Sequence, residues 1–118
     1  MRHVFKIAIM VLAAAAVIAA GCASAPLKTE ASTSGIRAAE EVGAADVPQA
    51  SLHLQLAKEE LGRAKTLAAN DQQEKADFML MRAEVDAELA VALSREDAEK
   101  TEAKAAVERV RDLRKDNK

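Results

Sequence analysis

The sequence predicts an all-α protein, a helical hairpin preceded by a short N-terminal helix and ending in a long, extended C-terminal helix. Ala, Glu, Lys, Leu and Arg dominate it, with no tryptophan or tyrosine and two phenylalanines, a composition suited to long helices that pack closely. Apolar residues recur at helical spacing in consecutive segments, and Gly43, Pro48 and the Asn70-Asp71 pair punctuate them. The same composition argues against a compact enzyme, because a chain with so few large side chains buries little volume per residue.

The chain opens with Arg2 and Lys6, then fifteen apolar or small residues from Ile7 to Gly21, the core of a signal peptide. A membrane span needs about 20 apolar residues at 1.5 Å each, so this run is about a turn too short. Ala19, Ala20, Gly21 and Cys22 look like a bacterial lipobox, with Ala19 where leucine is usual. That resemblance implies cleavage between Gly21 and Cys22 and a diacylglycerol and an N-acyl chain on Cys22; no other cofactor is expected. Ordinary secretory cleavage after Ala25 competes, but Pro26 directly after that bond hinders it. Cys22 is the only cysteine, so no intrachain disulfide can form, and lipidation accounts for it. Ala23 follows it rather than the aspartate that resembles an inner-membrane retention signal in enteric bacteria, which points to the outer membrane.

Removal of residues 1–21 takes two of the 17 basic side chains and none of the 19 acidic ones, leaving 15 − 19 = −4. Residues 22–29 read as a tether reaching about 25 Å if extended. A helical domain follows over 30–93. Its first helix is predicted over 30–42 with Ala31, Gly35, Ala38, Ala39 and Val42 on one side; Ser32, Thr33, Ser34 and Gly35 weaken it, and Gly43 stops it.

The second helix is predicted over 48–68, with Pro48 in its first turn. Leu54, Ala57, Leu61, Ala64 and Ala68 fall within about 80° of one another, while Leu52, Leu56 and Leu67 lie opposite. This spacing predicts a sandwiched helix, with the first helix over Leu52 and Leu56 and the third over the alanine seam. Asn70 is placed to take the left-handed turn position and Asp71 to cap the next helix.

The third helix is predicted from 72 to near Arg114, with its domain part over 72–93 and a charged continuation over 94–118. Ala76, Leu80, Ala83, Ala87 and Ala90 form one stripe; Phe78, Met81, Val85, Leu89 and Ala92 form a second, almost opposite. Two opposed stripes exceed what one hairpin covers, so Phe78, Met81, Val85 and Leu89 are the candidate surface for a protein partner or a second copy. The seam is read as failing at Ser94 and Asp97, and from Ser94 onward apolar residues thin to Ala98, Ala103, Val107, Val110 and Leu113. Residues 84–103 carry seven acidic and two basic side chains, residues 104–118 six basic and three acidic, as the helix dipole favours.

These residues resemble the small alanine-rich bacterial lipoproteins that contain domain of unknown function 4398. The resemblance covers about Ile36 to Leu93. It rests on Ala38-Ala39-Glu40, Gly43-Ala44, Pro48, the run Leu56 to Leu61 with Ala64, the Asn70-Asp71 turn, and the run Ala83 to Ala90. It implies a helical hairpin behind a lipobox, with no biochemical activity attached. A lipidated N-terminus, an alanine-rich helix and a terminal lysine also resemble the murein lipoproteins, which implies peptidoglycan linkage through Lys118 as the alternative function. Pro48 and Asn70-Asp71 break the continuous helix of that pattern.

No catalytic or metal-binding residue is expected. His53 has no second ligand nearby in sequence and reads as a surface residue. Glu84, Asp86 and Glu88 read as a solvated face, because Asp86 points about 160° away from Glu88 on a helix. Met79 and Met81 read as gap fillers. Without a Gly-rich phosphate loop or a basic patch interleaved with aromatics, nucleic acid is not an expected partner. The expectation is a non-enzymatic lipoprotein, anchored to the outer membrane and facing the periplasm, with a structural or adaptor role.

Overall fold

The computed structural model describes residues 25–117; the signal segment, the Gly21-Cys22 cleavage site and Lys118 lie outside the described residues. Helix α1 spans Glu30–Glu41, a 3-10 turn Ala44–Asp46, α2 Pro48–Ala69 and α3 Gln73–Asp116. Each bound falls within one or two residues of its predicted position.

Gly43 ends α1 as predicted. It takes φ 76°, and its N–H donates to the Glu40 carbonyl at 3.1 Å, in a conformation a Cβ would strain. Val47 is extended ahead of Pro48, as the residue before a proline must be. Its carbonyl then accepts the Ser51 N–H at 2.8 Å, which starts the α2 ladder.

The turn between α2 and α3 corrects two expectations. Asp71, not Asn70, takes the left-handed conformation, at φ 57°. The Gln72 N–H donates to the Leu67 carbonyl at 2.9 Å and the Asp71 N–H to Ala68 at 3.1 Å, the paired closure of a Schellman turn. The residue at the N-cap of α3 is therefore Gln72 rather than Asp71, and it makes no side-chain cap. The Schellman turn needs one residue past the C-cap in the left-handed region, which puts Asp71 there and starts α3 after Gln72.

Helices α2 and α3 form the antiparallel hairpin. Their buried faces are nearly all alanine: Ala50, Leu54, Ala57 and Ala64 meet Ala76, Leu80, Ala83, Ala87 and Ala90. Nine of the twelve buried apolar residues of the described chain are alanines. The helices can approach to about 8 Å, but each buried methyl contributes only about 0.8 kcal/mol. The core is thin, and polar contacts between helices carry weight.

The sandwich expected around α2 is not formed. Helix α1 lies parallel to α3 against the same side of the hairpin, leaving Leu52 56% exposed and Leu56 half-buried. Its inner face is Ser32, Ile36 and Ala39, while Ala31 and Ala38 are exposed, so the predicted stripe was turned by about one position. Two hydroxyls fix this seat. Ser32 Oγ donates to the Leu80 carbonyl at 3.0 Å, and Ser94 Oγ donates to the Val42 carbonyl at 2.6 Å. Ser94 is thus the last buried position of the α3 seam rather than the point of its failure. Gly35 lets the backbones close: a Cβ there would stand 3.0 Å from the Ala87 Cβ.

Beyond Ser94, α3 leaves the bundle. Every residue from Arg95 to Asn117 is exposed, an arm about 33 Å long at 1.5 Å per residue over its helical part.

Candidate functional site

With α1 and α2 both on one side of α3, the opposite side of α3 is bare. Phe78 is 52% exposed, Met81 55%, Val85 59% and Leu89 39%. They line one face because positions three and four apart on a helix stack above one another. The hairpin holds their backbone rigidly, since Ala76, Leu80, Ala83, Ala87 and Ala90 on the other face are packed against α1 and α2. An ordered row of large apolar side chains held on a rigid helix is the geometry of a surface that takes another helix along i, i+3, i+4, i+7 anchors.

One edge of the row is polar. Met81, Arg82, Val85 and Asp86 line a shallow groove. Asp86 turns from the stripe toward α2, where its Oδ1 lies 2.7 Å from His53 Nδ1. Arg82 reaches Glu60 Oε1 at 2.6 Å. His53 is therefore paired and partly buried, correcting its reading as a lone surface residue. Asp86 likewise leaves the solvated face it was assigned to, Glu84 is half-buried, and only Glu88 of that trio is fully exposed. The reason is register: the hairpin places His53 and Asp86 on the facing shoulders of two antiparallel helices, a juxtaposition with no trace in local spacing.

Glu60 is the unusual member of this cluster. It is 3% exposed, and its Oε2 is buried with no hydrogen-bond partner. Burial pushes its carboxyl above the ordinary carboxylate range and the neighbouring Asp86 adds to this, while Arg82 and Arg63 pull it down. The sequence does hold a signal for it: Glu60 sits three residues after Ala57 and four before Ala64, within the buried seam.

Among the described residues no group of three or more His, Cys, Asp and Glu could hold a metal ion. None of the described helices is long and apolar enough to cross a membrane. Cys22, Gly21 and Lys118 are outside the described residues, so the structure places the stripe alone among the candidate sites.

No curated protein and no solved structure matches the chain. A family model does, described as "Domain of unknown function (DUF4398)", over residues 28–106. The match is wider than the Ile36 to Leu93 resemblance, taking in all of α1 and the first twelve residues of the exposed arm. Since it spans about two thirds of the 118 residues, the chain belongs to the DUF4398 family.

Proposed function

We propose that this protein is a non-enzymatic lipoprotein of the cell envelope, held in the outer membrane by lipid on Cys22 and facing the periplasm. Its helices act as a structural or adaptor element through the Phe78, Met81, Val85 and Leu89 face. The observation that carries the reading is the exposure of this row on the part of α3 whose other face, Ala76 to Ala90, is packed against α1 and α2, since monomeric proteins rarely leave large contiguous apolar patches bare. The signal-like segment and the small residues before Cys22 supply the anchor. Three acyl chains would hold the protein effectively permanently, where a single chain binds a membrane only marginally.

The second reading, attachment to peptidoglycan through Lys118, is favoured by the exposed arm of α3, which leads the basic C-terminus away from the bundle. Mass analysis of the protein from native envelopes, before and after lysozyme digestion of the cell wall, separates the two. Complete detergent extraction of a triacylated chain beginning at Cys22 is the expected result. A ladder of murein fragments joined through Lys118 would replace the adaptor reading with the tether. An unlipidated chain beginning after Ala25 would remove the anchor.

A further inference from the structure

All seven large exposed apolar side chains of α3, namely Phe78, Met81, Val85, Leu89, Val107, Val110 and Leu113, fall within an arc of about 120° at 100° per residue. The bare face of the hairpin and the bare face of the arm are one face. From Val85 it continues through Leu89, Ala92, Glu96, Glu99, Ala103, Ala106 and Val110 to Leu113, with steps of four and three residues in strict alternation. A 3.5-residue repeat keeps one seam turned toward a partner helix in a left-handed supercoil.

We propose that a second copy of this chain covers this face, with the two α3 helices packed antiparallel as a coiled coil. This deepens the adaptor reading above and rests on it. One alignment pairs the seam from Val85 to Val110, with Leu113 opposite Arg82 and Phe78 just beyond the overlap. Val85 meets Val110 of the second copy, Leu89 meets Ala106, Ala92 meets Ala103, and the two-fold axis lies between Asp97 and Ala98. The arm of each copy then lies on the hairpin of the other. Residues 104–116 carry five basic and three acidic side chains, +2, and they face residues 79–91, where Arg82 stands against Glu84, Asp86 and Glu88, −2.

The flanking charges select the orientation. In an antiparallel pair, residues on the same flank of the seam meet, which sets Glu88 against Arg109 of the second copy and Arg95 against Glu102, each pair occurring twice by symmetry. A parallel pair joins opposite flanks and sets Arg95 against Lys100 and Arg109 against Arg114, which repel. Glu88, Arg95, Glu102 and Arg109 are all exposed. At the centre, Glu96 faces Glu99 of the second copy. A polar layer of this kind lowers stability, and the flanking charges hold the register: a slip of one heptad pairs Leu89 with Leu113 but sets Arg95 against Arg109 and Glu102 against Glu102 of the second copy, which repel.

The size suffices. The overlap of residues 79–116 is about 57 Å long, and four of every seven positions make about 22 residues a side, within the 20–30 of a standard interface. In such a dimer the two N-termini lie at opposite ends, so a lipid on each would lay the pair along the membrane.

The test uses the full chain extracted in detergent. Arg109→Glu is expected to weaken the dimer roughly tenfold in sedimentation, because two attractive pairs become repulsive, and the double variant Glu88→Arg with Arg109→Glu is expected to restore it. A photo-reactive residue in place of Val85 is expected to cross-link to the segment around Val110 of a second copy. Tightening by Arg109→Glu, or cross-linking of Val85 to Val85, would mean parallel pairing and overturn the proposal. A monomer whose Val85 cross-links to a different protein overturns the second copy but leaves the stripe as a docking face. A Val85 that cross-links nothing in native envelopes overturns both.

Discussion

The hydroxyl of Ser32 on α1 donates a buried 3.0 Å hydrogen bond to the carbonyl of Leu80 in the middle of α3. Fourteen residues farther along α3, Ser94 returns the contact by donating to Val42 at the end of α1. With only Ile36 and Ala39 as buried apolar residues on α1, these two hydroxyls do much to hold the first helix on the hairpin. Ser32→Ala is expected to cost about 1 kcal/mol, the usual net value of one intramolecular hydrogen bond. Denaturant titration measures the loss, and limited proteolysis within residues 30–41 shows whether it is α1 that detaches.

Gly35 and Gly62 are expected to respond to alanine with opposite signs. At Gly62 a Cβ meets nothing within 4 Å, so Gly62→Ala gains about 0.5–1 kcal/mol from reduced freedom of the unfolded chain. At Gly35 the same Cβ meets that of Ala87 at 3.0 Å. Neither methyl can swing away, so α1 must lift off α3. Overpacking of about 1–3 kcal/mol outweighs the gain in helix propensity of about 1 kcal/mol, and Gly35→Ala is expected to lower stability. Parallel denaturation curves of the two variants decide this, and equal stabilisation by both would show that the α1 contact is looser than described.

Glu60 predicts a pH dependence. Its carboxyl is raised above its ordinary value of 4.5, by burial first and then by Asp86. A pKa raised by folding means that the folded state holds the proton more tightly than the unfolded one. This contribution is full below 4.5 and is lost as pH rises through the raised value. Thermal melts from pH 4 upward are expected to show stability from this site declining over that window, and Glu60→Gln, which stays neutral, is expected to flatten the decline. An unchanged pH profile in the variant would place the titration elsewhere.

Val85→Glu is expected to separate assembly from folding. Val85 is 59% exposed on the bare face of α3, and exposed substitutions usually change stability by no more than about 0.5 kcal/mol. The helical signal and the denaturation midpoint of the monomer should be kept while assembly is lost. A variant that both folds and assembles normally would remove this face from the function.

Much of the fold was legible from local rules. Gly43, Pro48 and the Asn70-Asp71 pair located the breaks because each reflects the backbone conformation of one or two residues, and the alanine stripe of α3 was read correctly because it depends only on helical periodicity. Exposure of Phe78, Met81, Val85 and Leu89 was inferable by counting: two opposed stripes and one hairpin leave one stripe over. The turn was misread by one residue because Asn and Asp are both tolerant of the left-handed region, and only the hydrogen bonds from Gln72 to Leu67 and from Asp71 to Ala68 distinguish them.

The sequence by itself determined that the chain is helical, where each helix starts and stops to within one or two residues, and which face of α3 would lack a neighbour within one hairpin, since all of these follow from the local chemistry and spacing of each segment alone. Only the tertiary structure decided that α1 lies along α3 rather than behind α2, that Ser32 and Ser94 hold it there, and that His53 meets Asp86 while Arg82 meets Glu60. In a core of alanines every face offers nearly the same small methyl. Apolar patterning then specifies that helices pack but not which side each chooses, and that choice falls to a few hydroxyls, one glycine and the charges that happen to meet across the seam.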